Sequence, residues 1–444
     1  MIDISPELVT LLLLLGVLLG VMTGYPLALV IGGIGLVIGF LAFGPTVVNI
    51  LYYRVYNNIT NYTLLAVPLF IFMGIMLERS GIAERLYDAL YLWLGGVRGG
   101  LALTTLIIGT VMAACVGIIG ASVTMLAVVG LPAMVKRGYD KSLAAGSVCA
   151  GGTLGILIPP SIMLVVYGPM ALISVGKLFM AAFVPGFVLS ALYCLYVFIR
   201  CNIQKDLAPA IPLAERQVPF AQKTWKLATS LLPAALLIVS VLGVIFFGIA
   251  PPTEAAAVGA LVATLLAAAY RKLTWRVLRE SAHETFKLTS AVLLIAAASF
   301  AFTGVFLNAG CGNVVEAFIL ATPGGRWGAF AVIMFVCFIL GMFIDWMGII
   351  FIIVPIVTPV APVLGFDPLW FAMMIVVNLQ MSFMTPPFAY TIFFTRAAAP
   401  PELGISTDDI IRGVLPFVAL IVVGLFLCIA FPEIILWLPS KMIA

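Results

Sequence analysis

One carboxylate, Asp345, stands inside a run from Phe330 to Val363 that carries no other charge. An aspartate near the centre of such a run costs about 2.5–3.5 kcal/mol on insertion scales, so something must offset it. A helix cap would do so, as would an ion pair with Arg326 or a cation held at a hairpin tip. The third is the functional reading and the one adopted. Two further stretches hold chemistry-bearing residues at matched places. Gly151-Gly152-Thr153-Leu154-Gly155-Ile156-Leu157-Ile158-Pro159-Pro160-Ser161 cannot run as an unbroken helix, because paired prolines remove two N–H donors and disfavour helical geometry in the residue before each. Gln380-Met381-Ser382-Phe383-Met384-Thr385-Pro386-Pro387 repeats the break. Breaks at membrane depth free carbonyl oxygens that can coordinate a cation, and they turn helix N-termini toward an anion. Two packing kinks are the plain alternative. Their recurrence in both halves beside a Ser or Thr favours a site, with Thr153, Ser161, Asn378, Gln380 and Thr385 as the polar groups that would meet a substrate. Ser122, in Gly117-Ile118-Ile119-Gly120-Ala121-Ser122, is placed in the first half much as Asp345 is in the second. A small hydroxyl in a tight membrane turn also serves packing alone, and both readings of Ser122 stay open.

Other chemistry has little foothold. His283, the sole histidine, sits among Glu280, Glu284 and Lys287 and reads as a solvated surface group. No G-x-x-x-x-G-K-[ST], H-E-x-x-H or G-x-S-x-G motif occurs, so the sequence offers neither an ATPase nor a peptidase signature. The seven cysteines show no C-x-x-C spacing and read as small buried side chains.

These residues must be positioned by a membrane bundle. Of 444 residues 64% are hydrophobic and 9% charged, too few charges to cover a water-soluble surface. The net charge of +4 comes from basic residues between apolar spans, not from a face that would bind nucleic acid. Spans fall at about 8–23, 26–43, 62–78, 100–135, 142–172 and 178–199, then at about 227–249, 252–270, 288–307, 326–362, 369–397 and 413–431, by the ~20-residue rule. The first reads as a retained anchor and not a cleaved signal, since no basic residue precedes it. The polar stretch 200–226, with Pro209, Pro212 and Pro219, reads as a cytoplasmic linker. Residues 82–93 suit a helix lying in the interface, and Pro252-Thr253-Glu254 a helix start.

The punctuation of the two halves matches in order. Gly138-Tyr139-Asp140 answers Gly365-Phe366-Asp367, and Pro159-Pro160 answers Pro386-Pro387 at the same offset; Leu131-Pro132, Ile173-Ser174 and Val184-Pro185 answer Val354-Pro355, Ile405-Ser406 and Leu415-Pro416. Such order marks a duplicated unit, here 1–199 and 227–444. The segments 100–135 and 326–362 are about twice a span long with Gly-rich midpoints, so each is a re-entrant hairpin or two full crossings, and neither choice changes sides. Each half then crosses an odd number of times, which inverts the second relative to the first. The expected fold is an all-α polytopic membrane protein of two inverted-topology repeats with re-entrant hairpins (about 100–135 and 326–362) and broken helices (about 142–172 and 369–397). With the N-terminus outside, all but four of the 22 basic residues (Arg54, Lys177, Arg326 and Lys441) lie on the cytoplasmic side, which places both termini outside.

The run from Gly138 through Ala150 to Ser161, then Leu178-Phe179 to Pro185-Gly186, resembles the large membrane subunit of tripartite ATP-independent periplasmic (TRAP) transporters, as do Pro252 to Ala260, Ile344-Asp345-Trp346 and Thr385-Pro386-Pro387. The likeness covers nearly the whole chain. It implies an elevator-type secondary transporter in the bacterial inner membrane that imports a small organic acid with sodium (Na+). It implies two partners, a periplasmic substrate-binding protein and a small membrane subunit of about four spans on a separate chain. The family's sodium sites carry over to Gly117–Ser122 with Gly155–Pro159, and to Gly341–Asp345 with Met384, Thr385 and Pro386. One departure between the halves is that Phe388 answers Ser161, which puts a mirrored hydroxyl ligand in doubt. A stand-alone sodium/carboxylate symporter, an ion channel and an intramembrane enzyme are the rival readings.

Overall fold

The computed structural model describes residues 4–210, 212 and 218–442, and among these there is no strand. The first half runs α1 (Pro6–Met22), α2 (Leu27–Phe43), α3 (Val47–Ile59), α4 (Ala66–Arg79) and α5 (Ile82–Leu94), then α6 (Gly100–Val116), α7 (Ile119–Val135), α8 (Lys141–Thr153), α9 (Ile162–Ala171) and α10 (Val175–Ile203). The second runs α11 (Phe220–Phe246), α12 (Pro252–Ala269), α13 (Trp275–Asn308) and α14 (Cys311–Leu320), then α15 (Gly325–Gly341), α16 (Trp346–Val357), α17 (Pro368–Ser382), α18 (Tyr390–Ala398) and α19 (Thr407–Ala430).

The repeated punctuation is helix-end chemistry. Gly138 and Gly365 take left-handed backbone (φ 78° and 73°), which ends one helix without a Cβ clash. Two residues on, Asp140 accepts from the Leu143 N–H at 2.8 Å and Asp367 from those of Leu369 and Trp370 at 2.8 and 3.0 Å, capping α8 and α17. Ser174 and Ser406 likewise cap α10 and α19, the latter in a reciprocal box with Asp409. The halves also exchange partners, for α12 packs along α4 while α2 packs along α13. Each half thus lays its second apolar span on the third of the other (62–78 and 288–307), as inverted repeats do about a two-fold axis.

α6 and α7, of 17 residues each and about 25 Å long, join at Gly117 and Ile118 into a helical hairpin over residues 100–135. The second hairpin is α15 with α16. It opens with a 120° bend between α14 and α15.

Three features depart from the sequence expectation. Residues 47–59, unread because Asn49, Arg54, Asn57 and Asn58 interrupt the apolar pattern, form α3 and pack on α13. The charged stretch before 288 is no loop: Thr274 caps a single helix of 34 residues that runs through it into the span, since nothing between Trp275 and Phe302 breaks a helix. The expected linker is shorter than 200–226, because α10 reaches Ile203 and α11 starts at Phe220, and its Leu207 and Ala208 carbonyls accept from the Asp140 and Gly99 N–H groups at 2.9 and 3.2 Å. Residues 211 and 213–217 of it, with 1–3 and 443–444 at the chain ends, lie outside the described residues. The expected amphipathic helix at 82–93 is present as α5, burying Ile82, Leu86 and Leu90 and exposing Glu84, Arg85 and Asp88.

Two bundles result. Helices α1–α5 and α11–α14 pack mainly with one another, and Arg79 of α4 bridges Glu280 and Glu284 of α13 at 2.8 and 2.7 Å. The hairpins, the broken helices, α10 and α19 form the other bundle, tied across the halves by Lys141 Nζ donating to the Gly404 carbonyl at 2.8 Å, while Arg396 donates to the Ile405 carbonyl within the second half.

Candidate functional site

The tip of the first hairpin lies against the break in its own half. Gly117 is left-handed (φ 68°), and a Cβ there would sit 3.1 Å from the Pro160 carbonyl oxygen and 3.5 Å from the Ile162 nitrogen. The tip therefore abuts the extended segment ahead of α9, and the N-termini of α7 and α9 meet in one place. On the other side of the tip, a Cβ on Gly155 would come within 3.0 Å of Ser122 Oγ and 3.6 Å of the Ile118 carbonyl. Ser122 Oγ is buried and has no hydrogen-bond partner among the described residues. Leaving such a group unmet costs about 1–3 kcal/mol, so a polar atom seated there would be stabilised. Thr153 and Ser161 are also buried, but each donates to its own backbone, to Ala150 at 2.8 Å and Ile156 at 2.5 Å. Their lone pairs, not their protons, remain to be used. Pro159 is buried at the centre of the break.

The second tip is strapped to its break more tightly. The Phe388 N–H donates to the Met342 carbonyl at 3.1 Å, and a Cβ on Gly341 would lie 2.6 Å from Ser382 Oγ. Ser382 Oγ and Asn378 Nδ2 donate to the Phe338 and Met334 carbonyls at 3.1 and 2.8 Å, fastening α17 to α15. Thr385 Oγ1 donates to Met381 at 2.8 Å, and the buried Met384 donates its N–H to the same carbonyl at 3.1 Å. Asp345 Oδ1 accepts from the Trp346 N–H at 2.7 Å, at the start of α16. Its expected alternative partner is engaged elsewhere, for the Arg326 guanidinium lies over the Trp327 and Phe366 rings at 5.3 and 5.6 Å. The cap is present and the ion pair is not, so the carboxylate charge has no cationic partner among the described residues. Gln380 is fully buried, and neither Oε1 nor Nε2 finds a partner. This one side chain therefore offers both a donor and an acceptor to a polar partner, one turn before the helix break.

The structure also joins the halves in a way the sequence did not suggest. α18 sits on α7 and α8: Cys149 Sγ lies 3.1 Å from Thr395 Oγ1, and a Cβ on Gly120 would come 3.1 Å from the Phe394 ring. α9 in turn packs against α16. The outer helix of each break thus rests on the opposite hairpin. The small residues of α7 and α8 were the available signal for such close approaches.

Residues 10–434 match the model of the family described as tripartite ATP-independent periplasmic transporter, DctM component. The chain is 33% identical over 402 residues to the C4-dicarboxylate TRAP transporter large permease protein of Pseudomonas aeruginosa, covering 90% of this chain and 91% of that one. It is 29% identical to the sialic acid TRAP transporter permease protein of Haemophilus influenzae, covering 89% of this chain and 63% of that longer one. Among solved structures, the YdaH transporter of Alcanivorax borkumensis shares the fold with a TM-score of 0.64 at 15% identity, covering 97% of this chain and 99% of that one.

Proposed function

We propose, from the premise that this chain belongs to the DctM component family of tripartite ATP-independent periplasmic transporters, that it imports a small organic acid across a bacterial inner membrane in exchange for the energy of a sodium gradient. The observation that carries the proposal is the seating of each hairpin tip on a Pro-Pro break, with Ser122 Oγ and the Gln380 amide buried and unmet there. Carbonyl and hydroxyl oxygens at the tips suit a hard monovalent cation. In this reading sodium binds at Gly117–Ser122 with Gly155–Pro159, and at Gly341–Asp345 with Met384 and Thr385. Its positive charge, added to the helix N-termini beside it, favours an anion at Thr153, Ser161, Asn378 and Gln380. The hairpin bundle carries both past the scaffold bundle in an elevator motion, with residues 1–199 and 227–444 as the inverted repeats joined by the cytoplasmic linker. A periplasmic binding protein delivers the acid, and a small membrane subunit on a separate chain completes the scaffold.

Sodium-driven uptake into sealed vesicles, without ATP, is the expected result for the chain with these two partners, tried first with C4-dicarboxylates. Undiminished uptake after the sodium gradient is collapsed would overturn the coupling.

The basic bias further sets both termini on the periplasmic side. Lys205→Cys should then resist an impermeant thiol reagent added outside intact cells, and Val363→Cys, exposed at the end of the short helical turn Val360–Val363 before α17, should react with it. Labelling at position 205 from outside would reverse the orientation.

A further inference from the structure

We propose that the cleft where the two bundles meet on the outer side is an anion site, in which Arg54 holds the carboxylate of a small organic acid on its way to the hairpin tips. The inference rests on the cargo and orientation proposed above. The cleft measures about 450 Å³ and takes its walls from both bundles: Arg54 of α3 with Phe300 and Thr303 of α13 on one side, the end of α9 and Pro355 to Pro362 on the other. All these segments lie at the end of the bundle that the basic bias places outside.

Arg54 is held there by packing. A Cβ on Gly304 would lie 2.7 Å from Arg54 Cγ and 3.4 Å from Cδ, so the side-chain stem lies on a glycine that leaves room for it. The residue is half-buried, yet it makes no ion pair or hydrogen bond among the described residues. A partly desolvated guanidinium without a counterion is unfavourable, and its planar fork matches a carboxylate in two parallel bonds. Thr358, in the opposite wall, is 7% exposed, and its hydroxyl has that of Tyr167 beside it. A strong cationic donor on the scaffold side and a hydroxyl on the carrier side thus line one cavity. Asp367, beside Pro368 in the wall, is occupied in capping α17. Because both bundles supply the walls, an anion bound here would be released or passed on when one bundle slides past the other.

The test uses the full chain purified with its small subunit in nanodiscs, and reads phenylglyoxal modification of Arg54 by peptide mass spectrometry. Acetate, succinate and gluconate serve as probes, with chloride at equal ionic strength as control. At least one carboxylate should slow modification of Arg54 by roughly fivefold or more while Arg326 reacts as before. No protection by any probe would overturn the site, as would equal shielding of Arg326, which would mean diffuse screening. Protection by phosphatidylglycerol discs alone, absent from phosphatidylcholine discs, would assign Arg54 to a lipid phosphate and also overturn it. In vesicles, Arg54→Gln should raise the acid concentration for half-maximal uptake about tenfold, with Arg54→Lys intermediate and the sodium titration unmoved. The modification assay needs neither sodium nor turnover. Protection without uptake would therefore sink the transport reading and leave the site, whereas uptake without protection would do the reverse.

Discussion

Gly146→Ala should lower the melting temperature sharply and abolish uptake, while Gly33→Ala leaves both nearly unchanged. Alanine is a better helix former than glycine by about 1 kcal/mol, so propensity alone predicts that both substitutions stabilise. Packing reverses the sign at Gly146. Its Cβ would lie 2.2 Å from the Gly413 carbonyl oxygen and 3.1 Å from the Gly413 Cα, backbone atoms that no rotamer change can move. The reciprocal contact is equally tight, for a Cβ on Gly413 would meet the Ser142 carbonyl at 2.1 Å. α8 and α19 must separate to accept either methyl, and overpacking of this kind costs about 1–3 kcal/mol or more. Because α8 carries Thr153 and the first break, the separation also shifts the site. A Cβ on Gly33 meets nothing within 4 Å, which makes it the matched control. Equal melting temperatures for the two variants would show that this contact does not hold the halves together.

That contact marks the boundary between what was legible in the sequence and what was not. Asp140, Asp367, Ser174 and Ser406 could be read as matching punctuation because a cap is local: the side chain serves N–H groups two or three residues away. The two Pro-Pro breaks were legible for the same reason, since proline's effect falls on its own neighbours. The facing of Gly117–Ser122 with Gly155–Pro159 followed from no spacing rule and came only with the family resemblance; in the structure Gly155 lies against Ser122, and Gly117 against Pro160, one residue beyond that range. What crosses between halves was not legible at all. Gly120 with Phe394, Cys149 with Thr395 and Gly146 with Gly413 are more than 200 residues apart in sequence, and nothing local distinguishes them from other small or apolar residues. α3 was missed because a rule tuned to apolar runs passes over a helix that shows Tyr52, Tyr53 and Tyr56 outward and buries little. Gln380 was legible as polar beside a break, whereas its unmet amide became visible only when every neighbour had been placed.

Asp345→Asn is expected to raise the sodium concentration for half-maximal uptake about tenfold or more, with nearly normal protein yield and melting temperature. The carboxylate does two things in the structure, and the substitution separates them. As a cap, Oδ1 accepts from the Trp346 N–H at 2.7 Å, and an asparagine oxygen can keep that bond because Asn and Asp rank alike at helix starts. As a charge, it is half-buried at a hairpin tip, and Arg326 is engaged with aromatic rings and not with it. A full negative charge close to a cation in a medium less polarisable than water is worth several times its value in bulk solvent, and the amide removes it while keeping the size. Asp345→Ala removes both roles, so it should show the same sodium shift and in addition lose about 0.5–2 kcal/mol of stability with the cap. The comparison fixes which role matters. If the alanine variant alone is impaired and the asparagine variant keeps the sodium titration of the parent protein, Asp345 is a cap and nothing more, and it drops out of the proposed second cation site. If both shift together, the carboxylate is a sodium ligand.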